Sequence, residues 1–376
     1  MLLSEDHRAV QDAVRTYVQA EIAPHAAAWD KSHQFPQAQL RGLADLGCYG
    51  VAVPTDWDGA GLDYLALAVI LEEIAAGDGA TSTVVSVNNC PVCSILMAYG
   101  NAGQKERFLK PLARGDMLGA FCLTEPHVGS EAGGLKTSAR LDGDHYVIDG
   151  VKQFITSGKN GDVAIVMAVT DKAAGKKGIS AFLVPTDTPG YTVARLEDKM
   201  GQHASDTAQI LFDNCRVPEA YRLGDEGMGL RIALSGLEGG RIGIASQSLG
   251  MARAAFEAAL AYSKERQAFG QPIFEHQAVQ FKLADMATQI EAARQLIWHA
   301  ATLKDAGRPC LKEAAMAKLY ASEMAERVCS AAIQVFGGYG YVSDFPVERI
   351  YRDVRVCQIY EGTSEVQKIL IGRALG

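Results

Sequence analysis

A single carboxylate near the end of the chain has the neighbours that a catalytic base needs. Residues 359–365 read Ile-Tyr-Glu-Gly-Thr-Ser-Glu, and Gly362 lets another molecule approach Glu361 because glycine has no side chain. A carboxylate beside such a gap suits the removal of a carbon-bound proton in a tight pocket. The alternative is an ordinary helix N-terminus, in which Thr363 caps a helix over residues 366–370.

Two further stretches combine aromatic, hydroxyl and turn residues. Residues 121–131 read Phe-Cys-Leu-Thr-Glu-Pro-His-Val-Gly-Ser-Glu, and Pro126 and Gly129 predict a rigid loop after a strand. Residues 152–158, Lys-Gln-Phe-Ile-Thr-Ser-Gly, predict a strand that ends in an aromatic ring followed by two hydroxyls. A planar heterocycle would accept such a ring against its face and such a hydroxyl at its edge. Plain turns at strand ends would also explain both stretches.

Two arginines follow patterns that suit an anionic ligand. Arg241 ends Glu-Gly-Gly-Arg at residues 238–241, and Arg266 lies in Lys-Glu-Arg-Gln-Ala-Phe-Gly at residues 264–270. Each could bind a negatively charged ligand tail or pair with a nearby carboxylate. The glycines at residues 227–229 and 337–340 complete neither Gly-x-Gly-x-x-Gly after a strand nor a P-loop. They favour close backbone packing or ligand contact instead.

The composition indicates a large folded protein without a nucleic-acid or membrane function. The chain has 376 residues, 48% of them hydrophobic, and a net charge of -8. These totals allow two or three packed domains and argue against the clustered basic patch of a nucleic-acid binder. No apolar run approaches the roughly 20 residues of a membrane span. The first residues lack the pattern of a signal or transit peptide, so we predict a cytoplasmic bacterial protein or a processed mitochondrial-matrix one.

The eight cysteines do not form a disulfide pattern in so long a chain. Cys90 and Cys93 make a Cys-x-x-Cys pair, but no second pair accompanies it, and the surrounding residues predict a buried helix. We predict a structural role for both cysteines and expect no bound metal.

Three zones of different periodicity must position these residues, and the first, residues 1–115, predicts a helical domain. Val10, Val14 and Val18 recur every fourth residue until Pro24 interrupts the pattern. Apolar runs at residues 65–76 and 81–99 predict two further helices, with a loop over residues 54–63 before them.

Residues 116–226 predict a β domain. Asp142 and Gly143 indicate a hairpin turn, Asp149 and Gly150 indicate a second turn, and residues 163–169, 179–184 and 210–212 have the β-branched, apolar character of strands. No helical run separates the strands, so a barrel or sandwich is favoured over a dinucleotide-binding βαβ fold.

Residues 227–376 return to helical periodicity. An apolar seam steps by three and four residues through Leu283, Met286, Ile290, Ala293 and Ile297. A break at residues 307–309 precedes another helix over residues 313–328. The predicted fold class is therefore α+β, with an N-terminal helical domain, a middle β-barrel or sandwich domain and a C-terminal four-helix bundle.

Taken together and in this order, the motifs resemble the acyl-CoA dehydrogenase family over nearly the whole chain. Residues 123–130, Leu-Thr-Glu-Pro-x-x-Gly-Ser, look like its first signature. Residues 334–341 with Asp344, Arg349 and Asp353 look like its second. Residues 360–365 are similar to the segment that carries the catalytic base in most members.

The resemblance implies one FAD per subunit of a homotetramer, a dimer of dimers in which some FAD contacts cross between subunits. It implies that residues 121–130 and 154–156 contact the isoalloxazine ring, with Thr156 at flavin N5. Thr363 and Glu365 would contact the same FAD. A third group of residues would contact the adenine and pyrophosphate of a neighbouring subunit's FAD. The implied cofactor residues are, in that order, Phe121, Leu123, Thr124, Gly129, Ser130, Phe154, Ile155 and Thr156; Thr363 and Glu365; and Arg266, His276, Gln277, Gln334, Gly337 and Gly338, with Phe269 as a further cofactor contact.

The resemblance also implies the reaction, the α,β-dehydrogenation of an acyl-CoA to the trans-2-enoyl-CoA. Glu361 would remove the α-proton while the β-hydrogen leaves as hydride to the flavin, and electrons would pass to an electron-transfer flavoprotein. The Glu361 main-chain amide and a ribityl hydroxyl of FAD would bond the thioester oxygen. Burial and substrate binding should raise the pKa of Glu361. The implied acyl-CoA contacts are Ser130, Glu238, Arg241, Tyr360 and Gly362.

Several positions bear on the substrate and on departures from the family pattern. Gly240 occupies the place where the isovaleryl-CoA branch of the family carries its base, so Glu361 has no rival there, and we expect a short straight or short branched acyl chain. Glu131 stands where Asp is usual, Phe154 where Trp is common, and Ala268 where Ser or Thr is frequent. The alternatives are an acyl-CoA oxidase that uses oxygen and a non-catalytic scaffold that binds FAD or CoA.

Overall fold

The structure, a computed structural model, describes residues 2–376 and begins with a layer of helices. The central helix of this layer, α4 (Tyr64–Gly77), begins at an acidic cap, because the Asp63 carboxylate accepts a hydrogen bond from the Ala66 amide. This helix is buried on almost every side, as its apolar run from Leu65 to Leu71 predicts, and it buries Glu72 and Glu73 as well. The helices are α1 (Glu5–Tyr17), α2 (Ala26–Ser32), α3 (Gln37–Asp45), α4 (Tyr64–Gly77), α5 (Gly79–Val87), α6 (Ser94–Tyr99), α7 (Ala102–Gln104) and α8 (Lys110–Arg114).

The single helix predicted over residues 81–99 is wrong, because the chain breaks between α5 and α6. Cys90 has extended backbone angles, φ -139° and ψ 116°, and Pro91 follows it. Proline offers no amide hydrogen to a helix. The π-helical segment Asn88–Cys93 that contains the break packs on the long helix of the last zone.

The middle zone folds into one eight-stranded sheet. Its strands are β1 (Gly119–Cys122), β2 (Ser138–Asp142), β3 (His145–Thr156), β4 (Val163–Val169), β5 (Ile179–Pro185), β6 (Tyr191–Leu196), β7 (Thr207–Pro218) and β8 (Arg222–Leu223). Seven of them lie in the order β6-β7-β3-β2-β4-β5-β8, and β1 pairs with β4 in parallel. The pairs β2–β3, β3–β7, β4–β5 and β6–β7 are antiparallel.

One of the two predicted turns is confirmed and the other is wrong. The hairpin at Asp142 and Gly143 joins β2 to β3, and Gly143 has φ 66°. The second turn does not form, because β3 runs through Asp149 and Gly150 without interruption. Gly150 instead lies at a register shift against β7, where an added Cβ would stand 2.5 Å from the Thr137 hydroxyl. A strand glycine at this position marks a bulge.

The last zone is a helical bundle, and its predicted apolar seam is confirmed because all five residues of the seam are buried. α4 also packs on the first and second of the long helices, so the N-terminal and C-terminal helices share an interface. Among residues 2–376, we find no helix long and apolar enough to cross a bilayer. The helices of this zone are α9 (Gly229–Glu265), α10 (Gln277–Asp305), α11 (Leu311–Phe336), α12 (Val347–Val354) and α13 (Ser364–Leu375). A short hairpin of two-residue strands, β9 (Gln267–Ala268) and β10 (Gln271–Pro272), separates α9 from α10.

Candidate active site

Glu361 lies in the turn between α12 and α13, in a backbone conformation that side chains rarely adopt. Its φ is 54° and that of Gly362 is 90°, two successive left-handed residues, and such a conformation costs a non-glycine residue about 1–3 kcal/mol. The Glu361 Oε2 atom is buried and has no hydrogen-bond partner among residues 2–376. Burial raises the pKa of this carboxyl to about 7, against the opposing charges of Arg241 and Lys318.

The helix α9 passes the Glu361 carboxylate at Gly240. A Cβ added at Gly240 would stand 2.7 Å from Oε2 and 3.0 Å from Cδ of Glu361. Arg241 follows it, only 4% exposed, and its Nε and Nη1 atoms have no hydrogen-bond partner. Burial lowers the pKa of Arg241, while Glu361 and Glu238 oppose that effect. A buried guanidinium with free donors is costly unless a ligand or water completes it.

Tyr360, a predicted acyl-CoA contact, is held by a buried hydrogen-bond network. Its hydroxyl donates to Gln247 Oε1 at 2.6 Å and accepts from Gln202 Nε2 at 3.4 Å. The Gln247 amide in turn donates to the Gly79 carbonyl at 2.6 Å and to Thr83 Oγ1 at 2.5 Å. The network joins α5, α9 and the β6–β7 connection to the turn that carries Glu361, so it fixes the entry to that turn.

Glu238 lies on α9 two residues before Gly240, and neighbouring side chains donate hydrogen bonds to it. Lys304 donates to its Oε1 at 3.1 Å, and the Cys310 thiol donates to the same atom at 3.4 Å. Glu238 is therefore paired with Lys304.

A buried ion pair shapes the loop after β1. Lys152 donates to Glu125 Oε1 at 2.8 Å, and the backbone amides of Lys136 and Thr137 donate to the same carboxylate. Burial opposes ionisation of Glu125, but the Lys152 charge lowers its pKa overall. The Gln153 amide also donates to the Thr124 carbonyl at 2.8 Å. These contacts bring the two aromatic and hydroxyl stretches side by side.

At the end of β3, Phe154 is an exposed aromatic side chain on a strained backbone. It is 62% exposed with φ 59°, at a register shift between Lys152 and Ile155. Thr156 is half-buried, whereas Ile155 is 2% exposed and packs in the β core. Phe121, Leu123 and Thr124 are half-buried nearby, and Gly129 and Ser130 are exposed.

The residues implied to reach a neighbour's FAD share one exposed surface around the β9–β10 hairpin. Phe269 is 97% exposed, and its ring lies 5.8 Å from that of His276. Arg266 stacks 5.7 Å from the ring of Tyr339, which belongs to the 3-10 turn Gly337–Gly340. A Cβ added at Gly337 or Gly338 would meet nothing within 4 Å. Gln277 starts α10 and Gln334 lies near the end of α11.

Thr363 and Glu365 begin the last helix. Thr363 Oγ1 accepts a hydrogen bond from the Val366 amide, so the helix-cap interpretation of this stretch is confirmed alongside the buried carboxylate. Glu365 is exposed, and a backbone amide and the Thr363 hydroxyl lower its pKa. An exposed carboxylate at a helix N-terminus is free to meet a polar ligand group.

The residues fit the expected FAD. An exposed ring at Phe154 matches the face of a planar heterocycle, and the bare glycines of the 337–340 turn leave room for backbone contact with a phosphate group. Among residues 2–376, no group of three or more His, Cys, Asp or Glu could hold a metal ion. Cys90 and Cys93 are both buried free thiols.

Two residues beside Glu361 escaped the sequence analysis. Lys318 is fully buried on α11 and donates to the Gly362 carbonyl at 2.7 Å. Gln367 donates to the same oxygen at 2.8 Å and to the Glu361 carbonyl at 3.1 Å. The available signal for Lys318 was its spacing, since it falls on a helix face made of Ala314, Ala321 and Ala325.

Three family models match the chain: acyl-CoA dehydrogenase N-terminal domain over residues 4–116, middle domain over residues 120–215 and C-terminal domain over residues 227–376. The rat (Rattus norvegicus) short-chain specific acyl-CoA dehydrogenase, mitochondrial, is 47% identical over 98% of this chain and 90% of its own length. Its match extends through all three structural zones.

Two solved structures share the whole fold. Butyryl-CoA dehydrogenase from Megasphaera elsdenii superposes with a TM-score of 0.97 at 41% identity, covering 100% of this chain and 99% of its own. A chain in a structure reported for the electron transferring flavoprotein of Acidaminococcus fermentans superposes with a TM-score of 0.98 at 44% identity, with the same coverage. The chain thus belongs to the acyl-CoA dehydrogenase family of flavoprotein oxidoreductases.

Proposed function

We propose that this acyl-CoA dehydrogenase oxidises short acyl-CoA thioesters, straight or branched, to the trans-2-enoyl-CoA, with Glu361 as the base. The observation that carries the proposal is the Glu361 carboxylate, whose Oε2 atom is buried without a hydrogen-bond partner among residues 2–376 and whose pKa is raised to about 7. A base with a pKa near the working pH combines a useful ionised fraction with proton affinity. An intact carboxylate in this state also argues against a non-catalytic scaffold.

The chain's own residues supply binding, orientation and proton removal. Gly240 leaves room for the Glu361 carboxylate beside α9, because an added Cβ there would stand 2.7 Å from Oε2. The α-proton of the thioester moves to a Glu361 carboxylate oxygen. The Glu361 main-chain amide donates to the thioester oxygen and stabilises the charge that develops there. Tyr360 and Arg241 border the acyl-CoA, and the network at the Tyr360 hydroxyl keeps the turn in place.

FAD, when bound, supplies the acceptor for the two electrons that leave the β-carbon. Phe121, Leu123, Phe154 and Thr156 would border its ring system, and Thr363 and Glu365 would contact it from the start of α13. The exposed surface around the β9–β10 hairpin would hold the adenine and pyrophosphate half of an FAD bound to a neighbouring subunit. Its residues are Arg266, Phe269, His276, Gln277, Gln334, Gly337 and Gly338.

A preference for substrates with a short acyl chain is supported by the side chains that fill the space beside Glu361. Next to Gly240, a Cβ at Gly239 would stand 2.9 Å from Cys90 Sγ and 3.1 Å from Tyr64 Cε1. Both side chains therefore press on α9 one residue from the point where it meets Glu361. The names of the rat relative and of the Megasphaera protein point to short acyl groups as well.

For the electron acceptor we propose an electron-transfer flavoprotein. The match to a chain in the Acidaminococcus fermentans structure supports this choice over oxygen. A homotetramer is supported by exposed apolar side chains that a neighbouring subunit would cover, Phe269, Phe281 and Tyr341. The cytoplasmic location stays a prediction.

The experiment is an anaerobic titration of the purified flavoprotein with butyryl-, isobutyryl-, 2-methylbutyryl- and octanoyl-CoA. Bleaching of the flavin band by a four- or five-carbon thioester, with little effect of octanoyl-CoA, supports the proposal. Faster bleaching by octanoyl-CoA contradicts the substrate class. Comparing reoxidation by air with reoxidation by an electron-transfer flavoprotein separates the dehydrogenase from an oxidase.

A further inference from the structure

Lys318 is a buried cation next to the candidate base. Its side chain has no exposed surface, and its Nζ donates to the Gly362 carbonyl oxygen at 2.7 Å. Burying an ammonium group is costly unless it gains strong partners. Burial lowers the pKa of Lys318 to about 8. The nearby carboxylates Glu361 and Glu365 oppose this shift, and the charge of Arg241 adds to it. Lys318 lies in an alanine-rich helix face, and the Gly362 carbonyl is a partner that stabilises it there.

The first consequence of Lys318 is geometric. Glu361 and Gly362 are consecutive left-handed residues, and the Gly362 carbonyl accepts from both Lys318 and Gln367. Gln367 holds the Glu361 carbonyl too. Strained backbone persists only where surrounding contacts hold it in place. Lys318 and Gln367 together hold the turn that directs the Glu361 side chain toward α9.

The second consequence is electrostatic. Burial favours the neutral form of Glu361, and the two cations that oppose it are Arg241 and Lys318. Cys90 is a further titratable group within electrostatic reach of Glu361, and a buried thiol stays neutral where its pKa is raised. At a pH near 7, Lys318 keeps its proton, so its charge is present where Glu361 titrates.

We propose that Lys318 is a positioning residue for the base, which holds the Glu361–Gly362 turn through the Gly362 carbonyl and favours the ionised form of Glu361 by its charge. The inference rests on the proposed role of Glu361. Removing the charge leaves Arg241 as the cation beside Glu361, so a larger fraction of Glu361 is protonated at a given pH.

The test compares three substitutions of Lys318. Lys318→Met removes the charge and the hydrogen bond, Lys318→Gln keeps a donor for the Gly362 carbonyl without the charge, and Lys318→Arg keeps both. Lys368→Met is the control, because Lys368 is an exposed lysine on α13 that pairs with Glu323 of α11. The measurements are the pH profile of kcat/KM with butyryl-CoA and an infrared titration of the Glu361 carboxyl, identified by its loss in Glu361→Gln.

We expect the acid limb and the infrared transition to move up by about one pH unit in Lys318→Met and Lys318→Gln, which lowers kcat/KM about tenfold near pH 6 and much less at pH 9. Lys318→Arg and Lys368→Met should keep the wild-type profile. A uniform loss of kcat/KM at every pH in both neutral variants, with an unmoved infrared transition, overturns the proposal.

Two features of the experiment keep its result interpretable if a variant does not fold or the protein is inactive. If Lys318→Met does not fold, Lys318→Gln still removes the charge while keeping a hydrogen bond, and it carries the same expectation. The infrared titration needs no turnover, so it reports on Lys318 even if the wild-type protein oxidises none of the thioesters. That second outcome would reject the proposed function and leave the electrostatic inference standing.

Discussion

Gly240 and Glu361 meet at the point where α9 passes the turn before α13, and an added Cβ at Gly240 would stand 2.7 Å from Glu361 Oε2. Real Cβ atoms essentially never approach an oxygen so closely. The carboxylate can therefore lie at this position only because residue 240 is a glycine. The two residues are 121 positions apart in the chain (361 minus 240). Their contact joins the predicted base to the motif that carries Arg241.

Substitution of Gly240 by alanine should displace the base. The Cβ must push the Glu361 carboxylate aside, and a misplacement of about 1 Å at a reacting group can reduce turnover by roughly 100-fold. We expect kcat of Gly240→Ala to fall by about 10- to 100-fold with the flavin retained. Gly372→Ala is the matched control, since a Cβ there meets nothing within 4 Å. Turnover by Gly240→Ala at the wild-type rate would contradict the geometry.

Removal of the Glu361 charge should nearly abolish oxidation while FAD stays bound. Glu361→Gln keeps the shape of the side chain but cannot accept the α-proton, and general-base catalysis is worth about 10²–10⁴-fold. Turnover is followed by bleaching of the flavin band, and flavin content by the visible spectrum. Glu106→Gln, at an exposed glutamate of the surface pair with Lys110, serves as control. Persistent turnover in Glu361→Gln would mean that another residue is the base.

The pH dependence of kcat/KM should report the raised pKa of Glu361. The group must be ionised to act as base, and kcat/KM reflects the free enzyme. Because burial raises this pKa to about 7, kcat/KM should fall about tenfold for each pH unit below that value. The measurement is a series of initial rates with butyryl-CoA between mildly acidic and mildly alkaline pH. A flat profile down to pH values near the ordinary range of a glutamate would refute the assignment.

Phe154 should contribute to FAD binding. Its ring is exposed on a left-handed backbone, and stacking of an aromatic side chain on a nucleobase is worth about 1–3 kcal/mol. We expect Phe154→Ala to bind FAD roughly 5- to 150-fold more weakly. The Kd is measured by titrating deflavinated protein with FAD. Leu141→Ala, at another exposed apolar residue of the sheet, should bind FAD normally, and equal affinity in both variants would remove Phe154 from the site.

The sequence by itself determined the architecture and the candidate base. Helical and strand periodicities differ strongly, so the helical, β and helical zones were readable, as was the buried seam from Leu283 to Ile297. The break at Cys90 had a local signal in Pro91, which the surrounding apolar run outweighed in the prediction. The bulge at Gly150 had none, because a strand bulge depends on how the neighbouring strand pairs. Asp149 and Gly150 have the composition of a turn, yet β7 pairs on both sides of them.

Only the tertiary structure decided the environment of the base. The sequence supplied Glu361, Arg241 and Gly240 as separate motifs, but the raised pKa of Glu361, the unpartnered donors of Arg241 and the contact of Lys318 with Gly362 arise from helices far apart in the chain. Local patterns encode which face of a helix is apolar, whereas electrostatics depend on distance and burial in three dimensions. A buried lysine such as Lys318 therefore acquires meaning only when its partner is known.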